Sequence, residues 1–85
     1  MSSTLKLVVV TPQRQVLDTD AQWVDIPAAS GAMRALPRHA PTLGVLGAGA
    51  VRYAAAAGEH EVAVSGGFFE VLGDRVTVLA DSTQS

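Results

Sequence analysis

The chain contains no cysteine, so it has neither a disulfide framework nor a thiolate metal site. Charge is also scarce: 16% of the 85 residues are charged, against roughly a quarter in an average protein. Among them are one lysine and five arginines, with no basic run and a net charge of −2, which excludes nucleic acid as a partner. Long hydrophobic runs are missing. The longest, with glycines counted, is Leu43 to Val51, far short of the ~18 residues a membrane helix needs. The opening MSSTLKLVVVTPQ does not read as a signal peptide, because Lys6 interrupts its apolar run and Pro12 ends it.

What remains is apolar. Hydrophobic residues make up 48% of the chain, too many for a disordered segment, and the low charge implies that a partner covers some of the surface. The length points to one domain over residues 1–85. A domain of this size buries only roughly 60–65% of the surface of its unfolded chain. Its thin core leaves little room for a deep pocket with catalytic apparatus. The size favours a binding module or a subunit of something larger over a free-standing enzyme.

The hydrophobic period is two. Leu5, Leu7 and Val9 share a face against Lys6 and Val8, and Val24 and Ile26 lie against Trp23 and Asp25. Val51 and Tyr53 alternate with Arg52, Val62 and Val64 with Ala63 and Ser65, and Val76 and Val78 with Thr77 and Leu79. Each run predicts a half-buried strand. Turn residues separate them: Thr11-Pro12, Pro27, Ser30-Gly31, Gly47, Gly49, Gly58 and Gly66-Gly67. Gly73-Asp74, between two alternating runs, signals a tight hairpin. Many short strands at regular spacing predict an all-β sandwich or barrel. The alanine-rich YAAAAGEHE has helix propensity, but a helix cut off by Gly58 would barely nucleate, so a hairpin turning near Gly58 is expected. The terminal DSTQS, residues 81–85, reads as a polar, frayed tail.

Candidates for chemistry are few. Ser65, His39 and an aspartate can be assembled on paper into a triad, but no G-x-S-x-G elbow or strand-turn-helix supports it. His60 has a glutamate on each side, and neighbours on a strand point to opposite faces, so a solvated hairpin flank is a better reading than a metal site. Ser65-Gly66-Gly67 lacks the lysine and the helix start of a phosphate cradle; a bulge or close backbone approach is expected instead. Trp23, opposite in face to Val24 and Ile26, is either an interface anchor or a ring packed over a sheet edge. His39 lies in LPRHAP, a loop stiffened by Pro37 and Pro41. Such a loop suits docking because little entropy is lost on binding, although an ordinary exposed histidine fits the spacing equally.

Four stretches together carry a family resemblance: LKLVVVTPQRQVLD, GAMRALPRHAPTLGVLGAGAVRY, VAVSGGFFEV and DRVTVLAD. In this order, over about Leu5 to Asp81, they resemble the N-terminal domain of the F-type ATP synthase epsilon subunit, the counterpart of mitochondrial delta. The resemblance implies a flattened β-sandwich of roughly ten short, mostly antiparallel strands. It also implies a non-catalytic rotor subunit that ties gamma to the membrane c-ring at the cytoplasmic face of the bacterial membrane, peripheral and not inserted. No cofactor, metal or bound nucleotide is expected.

Carried over by position, the resemblance puts Ala32, Arg34, Arg38, His39, Ala40 and Pro41 toward the c-ring and Thr11 beside gamma, where Trp23 would add an anchor. Arg34 and Arg38 stand where the family usually has glycine, and Ala32 where many members have glutamate. A ring-facing surface made more positive by up to about three charges would match acidic ring loops, as in a divergent F-type ATPase. The family continues past this domain into a two-helix hairpin; residues 82–85 are too few for even one such helix, so no helical domain is expected within residues 1–85. A β-sandwich binding module unrelated to rotation is the alternative that strands and turns alone allow.

Overall fold

The computed structural model describes residues 4–84. Its strands are β1 (Leu5–Val10), β2 (Gln15–Ala21), β3 (Val24–Ala28), β4 (Gly31–Ala35), β5 (Thr42–Val45), β6 (Ala48–Ala55), β7 (Gly58–Leu72) and β8 (Arg75–Gln84). No helix occurs among the described residues, and hence none long and apolar enough to cross a membrane. The strands run β2-β1-β8-β7-β6-β3-β4 as one hydrogen-bonded path, with β5 also on β7. Every pairing is antiparallel except β1 with β8.

The path is folded into two layers. The outer half of β7, residues 67–72, lies between β5 and residues 75–80 of β8, which continue to β1 and β2. The inner half, residues 58–65, lies between β6 and residues 82–84 of β8, and β6 continues to β3 and β4. The expected ten short strands are therefore eight continuous ones. Because β7 and β8 each serve both layers, five strand segments fall in each. Overall dimensions of 35 × 25 × 19 Å suit two sheets packed face to face, whose backbones sit roughly 10 Å apart.

The alternation predicted for each run decides which side chains meet between the layers. Leu5, Leu7, Val9, Val76, Val78, Phe69 and Val71 come from the first layer. Val24, Ile26, Val51, Tyr53, Val62 and Val64 come from the second, and both sets join one core cluster. No polar side chain is buried among the described residues. The backbone N–H of Gln22 donates to the Ala54 carbonyl at 2.8 Å, linking the end of β2 to β6 across the layers.

Where the strands pass between layers, the alternation inverts. On β7 the buried residues are Val62 and Val64 before the Gly66-Gly67 pair but Phe69 and Val71 after it. Beside it, inward positions change from Leu46 to Val51 and Tyr53 across Gly47 and Gly49. Gly66 and Gly67 have φ of 70° and 113°, which glycine adopts without penalty. A Cβ on Gly67 would overlap the Leu79 carbonyl oxygen, and one on Gly66 would lie 2.6 Å from Asp81 Oδ2. The expected close approach is thus a crease shared by neighbouring strands.

The turns follow the chemistry of their residues. Gly73 and Asp74 have φ of 57° and 60°, as a two-residue type I′ hairpin requires. Ala54 and Ala55 finish β6, Ala56 and Ala57 turn, and Gly58 begins β7, so the alanine run is the expected hairpin. The tail differs from expectation. Residues 81–84 do not fray but extend β8, with Ser82, Thr83 and Gln84 opposite Ser65, Val64 and Ala63. Backbone pairing to a long neighbour fixes them despite their polarity. Ser85 lies outside the described residues.

Candidate functional site

The two outer faces differ in what their registers align. Across the first layer, Val45 pairs with Phe68, Phe68 with Leu79 and Leu79 with Val10, an unbroken apolar row over four strands. Val45, Phe68 and Leu79 are 53%, 57% and 50% exposed, and Leu43 beside them is 76% exposed. The next row mixes apolar and acidic residues: Leu43, Glu70, Thr77, Val8 and Asp18. The third runs Leu72, Arg75, Lys6 and Asp20. Lys6 reaches across to Asp18 at 3.1 Å and Asp20 at 3.8 Å.

Across the second layer the register instead aligns Arg34, Asp25, Arg52 and Glu61, with alternating charges. Arg34 grips Asp25 bidentately through Nε at 2.7 Å and a terminal nitrogen at 3.0 Å. Its guanidinium carbon lies 4.0 Å from the centre of the Trp23 ring, a cation–π stack. The hydrogen bond from Arg34 holds the Asp25 carboxyl below the usual carboxylate range, outweighing the opposing effect of partial burial. Arg52 reaches Glu59 at 3.7 Å. This face has therefore spent most of its charge internally. A shallow cleft of about 390 Å³ lies on this face between Ala32, Pro27, Ala50 and the two arginines.

The 36–41 loop carries the remaining candidates. The His39 N–H donates to the Leu36 carbonyl at 3.0 Å. His39 Nδ1 lies 2.7 Å from the Ala40 carbonyl oxygen, which can only accept, so Nδ1 carries a proton. Arg38 takes the left-handed conformation at φ 66°, and its N–H donates to Asp74 Oδ1 at 2.6 Å. This is where the resemblance predicts glycine, and the Asp74 bond explains how an arginine is held there.

The structure brings together some expected site residues and separates others. Arg38, His39, Ala40 and Pro41 form one stiff loop beside the β7–β8 turn. Ala32 and Arg34 lie apart from it on edge strand β4, and Arg34 is engaged by Asp25. Trp23 is half-buried beneath Arg34, so the ring is both packed and partly open. Thr11 follows Val10 at one end of the β1–β2 hairpin, whereas Trp23 follows the other end. The length of β2 between them is roughly 20 Å. Ser65 sits opposite Ala48 and Ser82 at the crease, far along β7 from the turn that holds the His39 loop, so no triad is assembled. His60 stacks against Tyr53, ring centres 5.6 Å apart.

The residues missed from sequence are Val45, Phe68, Leu79 and Leu43. Two signals pointed to them: Leu79 falls opposite in face to Val76 and Val78, and in Phe68-Phe69 one ring must face out.

A family model described as "ATP synthase, Delta/Epsilon chain, beta-sandwich domain" matches residues 4–85. The chain is 46% identical over 81 residues to the ATP synthase epsilon chain of Solibacter usitatus, covering 95% of this chain and 60% of that one. It is 44% identical over 82 residues to the epsilon chain of Bacillus subtilis, covering 96% and 62%. It is 43% identical over 82 residues to that of Alkalihalophilus pseudofirmus, also covering 96% and 62%. The chain thus spans about 60% of the length of these relatives. Among solved structures, a chain of the Euglena gracilis mitochondrial ATP synthase, OSCP/F1/c-ring, superposes with a TM-score of 0.88 at 20% identity, covering 96% of this chain and 53% of that one. One from the Tetrahymena thermophila mitochondrial ATP synthase central stalk and c-ring gives 0.77 at 12% identity, covering 95% and 66%. At those identities the likeness is one of fold.

Proposed function

Since the chain belongs to the ATP synthase delta/epsilon chain β-sandwich family, we propose that it serves as the epsilon-type subunit of an F-type ATP synthase central stalk. In that role it ties gamma to the c-ring and transmits torque between ion flow and nucleotide chemistry carried out on other subunits. It works at the cytoplasmic face of a bacterial membrane, peripheral to the bilayer.

One observation carries the docking part of this reading: the apolar row of Val45, Phe68, Leu79 and Val10 on an open sheet face. A small domain that leaves a phenylalanine and several large aliphatics in one row is built to have them covered. Gamma is the partner assigned to this row, with Thr11 at its rim. Trp23, about 20 Å along β2 from Thr11, would reach gamma only at a second point of contact. The stiff loop of Arg38, His39, Ala40 and Pro41 is assigned to the c-ring, with Ala32 and Arg34 as outlying contacts on β4.

Native mass spectrometry of the full chain mixed with gamma tests the reading. A one-to-one complex at micromolar concentration is expected. Its absence, or its persistence unchanged in Phe68→Glu, would defeat the assignment.

A further inference from the structure

Resting on the central-stalk reading, we infer that Arg38 and Arg75 together form a receptor for a pair of carboxylates on the surface that the 36–41 loop meets. Their juxtaposition is built into the fold. The Arg38 N–H donates to Asp74 Oδ1 at 2.6 Å, and the Asp74 carbonyl accepts from the Lys6 N–H at 2.9 Å. Asp74 thus staples the loop to the turn from which β8 starts, and Arg75 is the next residue. Both arginines are exposed.

The pattern of ion pairs singles these two out. Lys6 is matched by Asp18 and Asp20, Arg34 by Asp25 and Arg52 by Glu59. Among the described residues, Arg38 and Arg75 have no side-chain carboxylate within salt-bridge distance. Arg14, the other cation in that position, lies in the β1–β2 turn, beyond the Val10 end of β1, whereas Arg75 pairs with Lys6 near its start. Asp74, beside Arg75 in the chain, has one oxygen on the Arg38 amide rather than on either guanidinium. Planar guanidinium forks suit carboxylates, which they bind through two parallel hydrogen bonds. His39 stands beside the site rather than in it: with Nδ1 donating to Ala40, Nε2 of the neutral ring is an acceptor, suited to a partner's N–H or O–H and not to a carboxylate. An acidic polypeptide turn fits the arginine pair better than an anionic bilayer. A broad bilayer surface would also meet Asp20 in the same row as Arg75 and Asp18 in the next, on a chain whose net charge is −2.

The test measures binding of the gamma-bound full chain to the detergent-solubilised c-ring of the same organism, at low and moderate salt. Arg38→Gly removes the guanidinium while suiting the left-handed backbone, and Arg75→Gln removes the second at a strand start. Each is expected to weaken ring binding roughly tenfold and to flatten its salt dependence. Gamma binding should be unchanged in both. Wild-type ring affinity in both variants would overturn the inference alone. So would loss of binding to phosphatidylglycerol vesicles with ring binding intact, which would assign the arginines to lipid. Failure of the wild-type chain to hold gamma would overturn the central-stalk reading itself, and this inference with it.

Discussion

The two outer faces of the sandwich are made by the same strand period yet have opposite chemistry. On the first layer, outward positions from β5, β7, β8 and β1 line up as Val45, Phe68, Leu79 and Val10. On the second, outward positions from β4, β3, β6 and β7 line up as Arg34, Asp25, Arg52 and Glu61. The first face has apolar area that water solvates poorly; the second has most of its charges answered by cross-strand neighbours, Arg34 by Asp25 and Arg52 by Glu59. A face whose charges mostly answer one another, and whose one large ring, Trp23, lies under Arg34, gains less from a partner than the apolar face gains by being covered. Register, rather than composition, makes one face apolar and adhesive and the other charged and largely self-paired.

The most damaging way to break this contrast is at the crease that separates the faces. Gly67→Ala puts a methyl group into the Leu79 carbonyl at a φ of 113°. The expected loss is about 2–4 kcal/mol of stability, read from urea unfolding. Next in size is a charge placed on the adhesive face. Phe68→Glu should weaken gamma binding by at least roughly thirtyfold while leaving the melting temperature within a few degrees, because the ring is 57% exposed. The mirror substitution on the other face, Ala63→Glu, should leave gamma binding unchanged. If both weaken it equally, the two faces are not distinct.

A smaller effect sharpens the account of the charged face. Asp25→Asn should lower the melting temperature at neutral pH by no more than about 4 °C, since the pair it breaks is partly solvent-exposed. The sign of its pH dependence is fixed. The folded carboxyl titrates below its unfolded value, so its stabilisation is complete above the unfolded pKa and fades as pH falls through the folded one. Wild type and Asp25→Asn should therefore begin to converge below about pH 4 and meet only once the folded carboxyl is itself protonated; a gap that outlasts that protonation would point to packing against Trp23 instead. Smallest of all, Glu59→Gln should leave the melting temperature unchanged, because its 3.7 Å contact with Arg52 is fully on the surface.

Much of the fold was readable from single runs. Leu5, Leu7 and Val9, Val24 and Ile26, and Val76 and Val78 are all buried as their alternation predicts, and Gly73-Asp74 turns as its residue types require. Local period and turn chemistry need no partner strand. The crease was legible only as a close approach at Gly66-Gly67. That the alternation also inverts on the neighbouring chain segment depends on how the strands lie together. The apolar row was harder still, since Val45, Phe68, Leu79 and Val10 are scattered along the chain and meet only once three registers are known. For the same reason Arg34 looked like a free cation, although Asp25, its partner on the neighbouring strand, was in plain view.

The single parallel pairing has a consequence for synthesis. β1 joins β8, with Lys6 opposite Arg75, so one of the first strands made must wait for the last to complete its sheet. Ribosomes add ~5–20 residues per second, which leaves Leu5, Leu7, Val8 and Val9 without their neighbour for several seconds. Pairing so distant in sequence is also slow to form once both strands exist. The β1–β2 hairpin is thus the part of the nascent chain most in need of a chaperone, and the part whose docking marks the end of folding.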